Sequence, residues 1–153
     1  MGDEGNASLW TTARHEAGHA VAALHYDCPI AHASIEREGR SLGTTRIGCE
    51  VLRDAIVLFC GPLAEKDDWE DCPGRNVSVD VYGTDEEGLR YLALKFGDLS
   101  ACVGEAALFI SQRPVQEQIN LVAQALLERT TLTADEIRAV SGFSCRLCSP
   151  EWV

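Results

Sequence analysis

The sequence predicts a mainly α domain with one small β-ribbon. Three observations point that way. Apolar residues recur at helical spacing, as at Val51, Leu52, Ala55, Ile56, Leu58 and Phe59. One stretch alternates instead, with Ala31, Ala33 and Ile35 on one side and His32, Ser34 and Glu36 on the other. Proline and glycine then punctuate the chain into short elements, without a repeat or low-complexity tract.

The elements follow in order. A first helix is expected from Leu9 to about Tyr26, after a flexible N-terminus over 1–8, and Asp27-Cys28-Pro29 ends it because proline blocks continuation. Ile30 to Glu36 reads as a strand, Glu38 to Gly43 as a turn, and Thr44 to Ile47 as the second strand of the ribbon. A second helix is expected from about Cys49 to Lys66, with Pro62 kinking or dividing it. Asp67 to Tyr82 is a polar loop around Pro73-Gly74. Helices are expected over about Thr84–Phe96 and Leu99–Gln112, and a fifth has Pro114 in its first turn and runs to about Glu128. Thr133-Ala134-Asp135-Glu136 is a capping box that opens a last short helix, so that one domain spans 9–141 and a tail 142–153.

Composition narrows the function classes. The 153 residues suit one domain with a real core, and 46% hydrophobic with 24% charged residues is ordinary for a soluble globular protein. A net charge of −11 argues against a nucleic-acid partner, because little here would neutralise phosphates. The longest apolar run, Ala55 to Ala64, is too short to cross a bilayer, and the polar, acidic start Met1 to Asn6 is no secretory signal. Seven cysteines, an odd number without an export signal, fit a reduced cytoplasmic setting in which several serve as small buried hydrophobes. Cys145-Arg146-Leu147-Cys148 is a lone C-x-x-C with no second pair to complete a zinc ribbon, and reads as two incidental thiols.

The chemistry concentrates in His15-Glu16-Ala17-Gly18-His19, an H-E-x-x-H pentapeptide inside the first helix. Positions i and i+4 share a helix face, so both imidazoles can grip one ion. Zn2+ with three protein ligands keeps a position open for water and lowers that water's pKa to about 7. Glu16, beside the pair, is placed to take the water's proton as general base. Ala17, Gly18, Ala20, Ala22 and Ala23 keep the helix slim enough for close approach. Gly18 costs about 1 kcal/mol of helix propensity relative to alanine, which points to a packing or access reason.

A third protein ligand has to come from another element. His25, ten residues after His15, points roughly 80° away around the helix and nearly two turns past His19. His32 lies on the first strand, toward the edge of a site or solvent. The start of the third helix offers acids, and residue type leaves Asp80, Asp85, Glu86 and Glu87 equivalent.

Five stretches, in order, resemble the peptidase domain of the FtsH family of ATP-dependent membrane zinc proteases: His15 to Leu24, Ala33 to Gly43, Ile56 to Glu65, Gly83-Thr84-Asp85 with Leu89, Leu92 and Ala93, and Ala125 to Ile137. The similarity covers roughly residues 10 to 140. It implies a zincin-like helical metallopeptidase fold, with His15, His19 and Asp85 as ligands to Zn2+ and Glu16 as catalytic base. The chain departs from that family by having Glu86 where an apolar residue usually follows the aspartate, and by a short stretch after the aspartate helix. It carries no transmembrane helix and no G-x-x-x-x-G-K-[S/T] phosphate loop, so ATP-driven unfolding is not expected within this polypeptide.

The resemblance therefore implies an ATP-independent zinc endopeptidase for peptides or unfolded protein, bound extended near the ribbon edge. A non-catalytic zinc-containing binding module and a peptidase subunit that depends on a separate ATPase are the alternatives. Oligomeric state, including a homo-oligomer, is left open.

Overall fold

A computed structural model describes residues 2–36, 44–47, 51–65 and 83–142. These form six helices and three short strands, mainly α as expected. The order is α1 (Gly2–His25), β1 (Ile30–Ser34), β2 (Thr44–Ile47), α2 (Arg53–Ala64), α3 (Gly83–Phe96), α4 (Ser100–Ile110), α5 (Arg113–Arg129), β3 (Thr131–Thr133) and α6 (Ala134–Ser141).

Helix α1 is the centre of the molecule. Between Ala13 and Leu24 every residue except His15 is buried, because α2, α5, β1 and β2 all pack around it. A helix covered on all sides needs small residues, and the run of alanines supplies them. Gly18 explains itself here: a Cβ at this position would lie 2.5 Å from both the Ala64 Cβ and the Cys60 carbonyl oxygen of α2. The helix starts at Gly2 rather than Leu9. Gly5 and Asn6 are weak helix formers, but once a long helix is nucleated each added residue gains a backbone hydrogen bond.

Helix α2 is the second core element, with every residue from Asp54 to Ala64 buried. The apolar run that is too short for a bilayer is thus a core helix, and no described helix is long and apolar enough to cross a membrane. The helix opens at Arg53 instead of Cys49, and Val51 and Leu52 stay exposed ahead of it. The Asp54 carboxylate sets this boundary by accepting the Val51 N–H at 3.0 Å. Pro62 falls in the last turn and does not divide the helix; lacking an N–H, it leaves the Leu58 carbonyl without its i→i−4 partner, and the helix ends two residues later.

The ribbon is a three-stranded antiparallel sheet in the order β2-β1-β3. Strands β1 and β2 pair as expected, with Ile30 opposite Ile47 and Ser34 opposite Thr44, and a bulge between Ile30 and Ala33. Strand β3 was not expected. It pairs His32 with Thr133 and Ser34 with Thr131, so the second edge of β1 is covered. Three residues are too few to show a period in sequence; they form a strand because Thr130, at a φ of 71°, turns the chain out of α5 alongside β1. Pro114 sits in the first turn of α5, and the Thr133 capping box opens α6, both as expected. The turn at 38–43, the loop at 67–82 and the Cys145–Cys148 pair lie outside the described residues. Cys28, Cys60 and Cys102 carry free, buried thiols, and Cys28 donates to the buried Asp54 carboxylate at 3.1 Å.

Candidate metal centre

One turn of α1 and the first turn of α3 bring three donor atoms together. His15 Nε2 lies 2.8 Å from Asp85 Oδ2, His19 Nε2 lies 3.0 Å from the same oxygen, and the two Nε2 atoms are 3.2 Å apart. The side chains are sheltered, with 12%, 2% and 15% of the surface of His15, His19 and Asp85 exposed. No other group of three or more such side chains converges among the described residues.

The outer face of each imidazole decides what the inner face can be. His19 Nδ1 lies 2.9 Å from the Val57 carbonyl oxygen, and His15 Nδ1 lies 2.7 Å from Glu65 Oε1. A carbonyl and a carboxylate only accept, so both Nδ1 atoms carry the proton and donate it. In the neutral rings both Nε2 lone pairs then point at the Asp85 carboxylate, which is also an acceptor. Three acceptors within 3.2 Å of one another repel unless a cation or shared protons lie between them.

Protons are one answer, and the electrostatics record it. Burial alone disfavours the His15 cation, but the hydrogen bonds to Asp85 and Glu65 and the charges of Glu16 and Asp85 outweigh it and raise the imidazole to about 10. His19 moves upward too, as the Asp85 charge and hydrogen bond overcome its burial. Burial favours the neutral Asp85 acid, yet the charge of His19 and the hydrogen bonds from both rings hold it well below the usual carboxylate range. A divalent cation is the other answer, and the donor set fits it. Ligand atoms around a tetrahedral zinc, with bonds of about 2.0–2.1 Å, are spaced about 3.3 Å apart. Two imidazoles oriented by a carboxylate and a backbone carbonyl are also how metal-binding histidines are commonly held.

Glu16 follows His15 on α1 and is 4% exposed. Its charge favours the protonated form of both imidazoles. Gly61 of α2 completes the cradle, since a Cβ there would lie 2.2 Å from His19 Nε2 and 2.3 Å from Cε1.

No family model matches the chain, and no curated protein is significantly similar to it.

The candidates of the sequence reading are now sorted by position. Asp85 reaches the histidine pair, whereas Glu86 pairs with Arg90 at 2.7 Å and Glu87 is exposed. Asp80 lies outside the described residues. His25 bonds Gln118 at 2.7 Å, away from the cluster, and His32 is absent from it. Sequence reasoning missed Glu65, Val57 and Gly61. The carbonyl of Val57 leaves no trace in residue type, while Gly61 and Glu65 stand out only as a glycine inside a helix and an acid at the end of an apolar one.

Proposed function

We propose that this chain is a zinc-dependent endopeptidase with a zincin-like helical fold, similar to the FtsH peptidase domain. The observation that carries this reading is the convergence of two Nδ1-protonated imidazoles and one carboxylate, with a buried glutamate beside them. A helix with incidental histidines needs neither the third donor from α3 nor the oriented outer nitrogens.

His15 Nε2, His19 Nε2 and Asp85 would hold the ion, which supplies Lewis acidity and an acidified water when bound. The residues of the chain do the rest. Glu65 and the Val57 carbonyl keep each imidazole in one tautomer and one orientation. Glu16 accepts the proton of the attacking water and returns it to the leaving amine. Among the described residues β2 and β3 are the outer strands of the sheet, and an extended peptide paired along one of them would gain affinity with little sequence choice. Peptides and unfolded segments, in a cytoplasmic setting, are the substrates this suits.

The test is direct. Purified protein should bind about one Zn2+, cleave an unfolded fluorogenic protein, and lose that activity to a chelator. Protein that holds zinc yet turns over no unfolded substrate would leave the non-catalytic module, or the subunit that needs a separate ATPase, as the better reading.

A further inference from the structure

Arg14 is the residue before the first ligand, and it is fully buried at 0% exposure. A buried guanidinium is costly unless its donors are all used. Here its Nε donates to the Ala64 carbonyl at 2.7 Å, Nη2 donates to Gln116 Oε1 at 2.8 Å, and Nη1 donates to Asn120 Oδ1. The acceptors belong to two different helices, the end of α2 and the first half of α5.

The contact with α2 forms a double rung. Arg14 and His15 are consecutive on α1; Ala64 and Glu65 are consecutive at the end of α2. Arg14 binds the Ala64 carbonyl while His15 Nδ1 binds the Glu65 carboxylate at 2.7 Å. The Ala64 carbonyl is one of the last-turn carbonyls that have no partner within the helix, and a cation there also faces the negative end of α2. Glu65 is the C-cap of that helix. Whatever holds the last turn therefore sets where the Glu65 carboxylate sits.

The far side of the guanidinium is equally fixed. Gln116 Nε2 donates to the Ile110 carbonyl at 2.6 Å, which ties its amide to the end of α4 and leaves Oε1 for Arg14. A planar fork with donors in fixed directions suits this three-point role, and a lysine ammonium would not reproduce it.

We propose that Arg14 is the positioning residue of the metal centre: braced by Gln116 and Asn120, it holds the end of α2 so that Glu65 meets and orients His15. This rests on the zinc reading given above. Arg14 touches neither the donor atoms nor a substrate; it acts through Glu65.

A double-mutant cycle tests this, with zinc affinity read by competition against a chromophoric chelator. Arg14→Met and Glu65→Ala should each weaken zinc binding by about 10–100-fold, as loss of an outer-shell partner does. The combined variant should bind no worse than Glu65→Ala alone. A merely structural arginine would give additive losses instead, and that result overturns the proposal. Because Arg14→Met removes a core side chain, Gln116→Ala with Asn120→Ala on α5 serves as the second variant. It should weaken zinc binding several-fold in the native background and leave it unchanged in the Glu65→Ala background. Unaltered affinity in both Arg14→Met and the α5 pair, with wild type binding zinc, rejects the role of Arg14 and leaves the zinc reading standing. A wild-type protein that takes up no zinc rejects both.

Discussion

Glu16 and its two histidine neighbours should respond differently to substitution. Glu16 is buried beside the cluster but is not one of the converging donors, so Glu16→Gln should keep zinc and lower peptide hydrolysis by about 10²–10⁴-fold. Metal analysis and a peptide assay on one preparation check this; loss of metal together with activity would instead make Glu16 a ligand or a structural acid. Protons and cation compete for the same lone pairs. With His15 raised from 6.5 to about 10, zinc uptake at pH 7 should expel at least one proton. Calorimetry in two buffers of different ionisation heat counts it. The sign for the metal-free protein follows from the raised value: His15 adds stability fully below about 6.5 and loses it as pH climbs through about 10. Zinc affinity therefore rises over the window in which the metal-free fold weakens. At this scale the H-E-x-x-H pair was fully legible, because i and i+4 spacing on a helix is local geometry. Asp85 was legible only through the resemblance, since it meets the histidines across 66 or more residues. Arg14 was not legible at all, as nothing in residue type tells a buried arginine from a solvated one.

The two packed core helices turn on the space around single glycines. A Cβ at Gly18 would meet Ala64 and the Cys60 carbonyl, the latter being rigid backbone. Gly18→Ala should therefore destabilise by about 1–3 kcal/mol through overpacking. Gly104, inside α4, has nothing within 4 Å of the same position, and Gly104→Ala should stabilise by about 0.5–1 kcal/mol by removing a helix-interior glycine. Thermal melts of the two variants should move in opposite directions; a rise in both would mean that the α1–α2 contact is looser than its distances imply, and a fall in both would mean that the Gly104 site has no room for a methyl group. The elements that sequence reading placed well are those with local signals, such as Pro114 in the first turn of α5 and the Thr133–Glu136 capping box of α6. Strand β3 and the early start of α1 escaped it for one reason: each is decided by what lies beside the segment or continues it, not by the segment's own composition.

At the scale of the molecule, the donor set joins two helices that the core joins only indirectly. α1 packs on α2 and α5, whereas α3 rests on α2, with Leu89 and Leu92 buried and Tyr91 and Leu94 facing outward. Asp85 against His15 and His19 ties α3 directly to α1. A cation bound there acts as a cross-link between them, and it stabilises the native state by about 4 kcal/mol when present at a thousand times its dissociation constant. The gain should not be uniform, because local opening follows local contacts. Stripping the metal should lower the melting temperature, and amide exchange should quicken most over Gly83–Phe96. Helices α1, α2 and α5 should keep their protection, since their mutual packing does not pass through the site. The measurement is hydrogen–deuterium exchange with and without zinc, followed by mass spectrometry. Protection that falls equally in α3 and α5 would mean that the ion stabilises the whole fold and not the α1–α3 junction. Unchanged protection in α3 would mean that Asp85 is held by its hydrogen bonds to the two imidazoles and has no need of a metal.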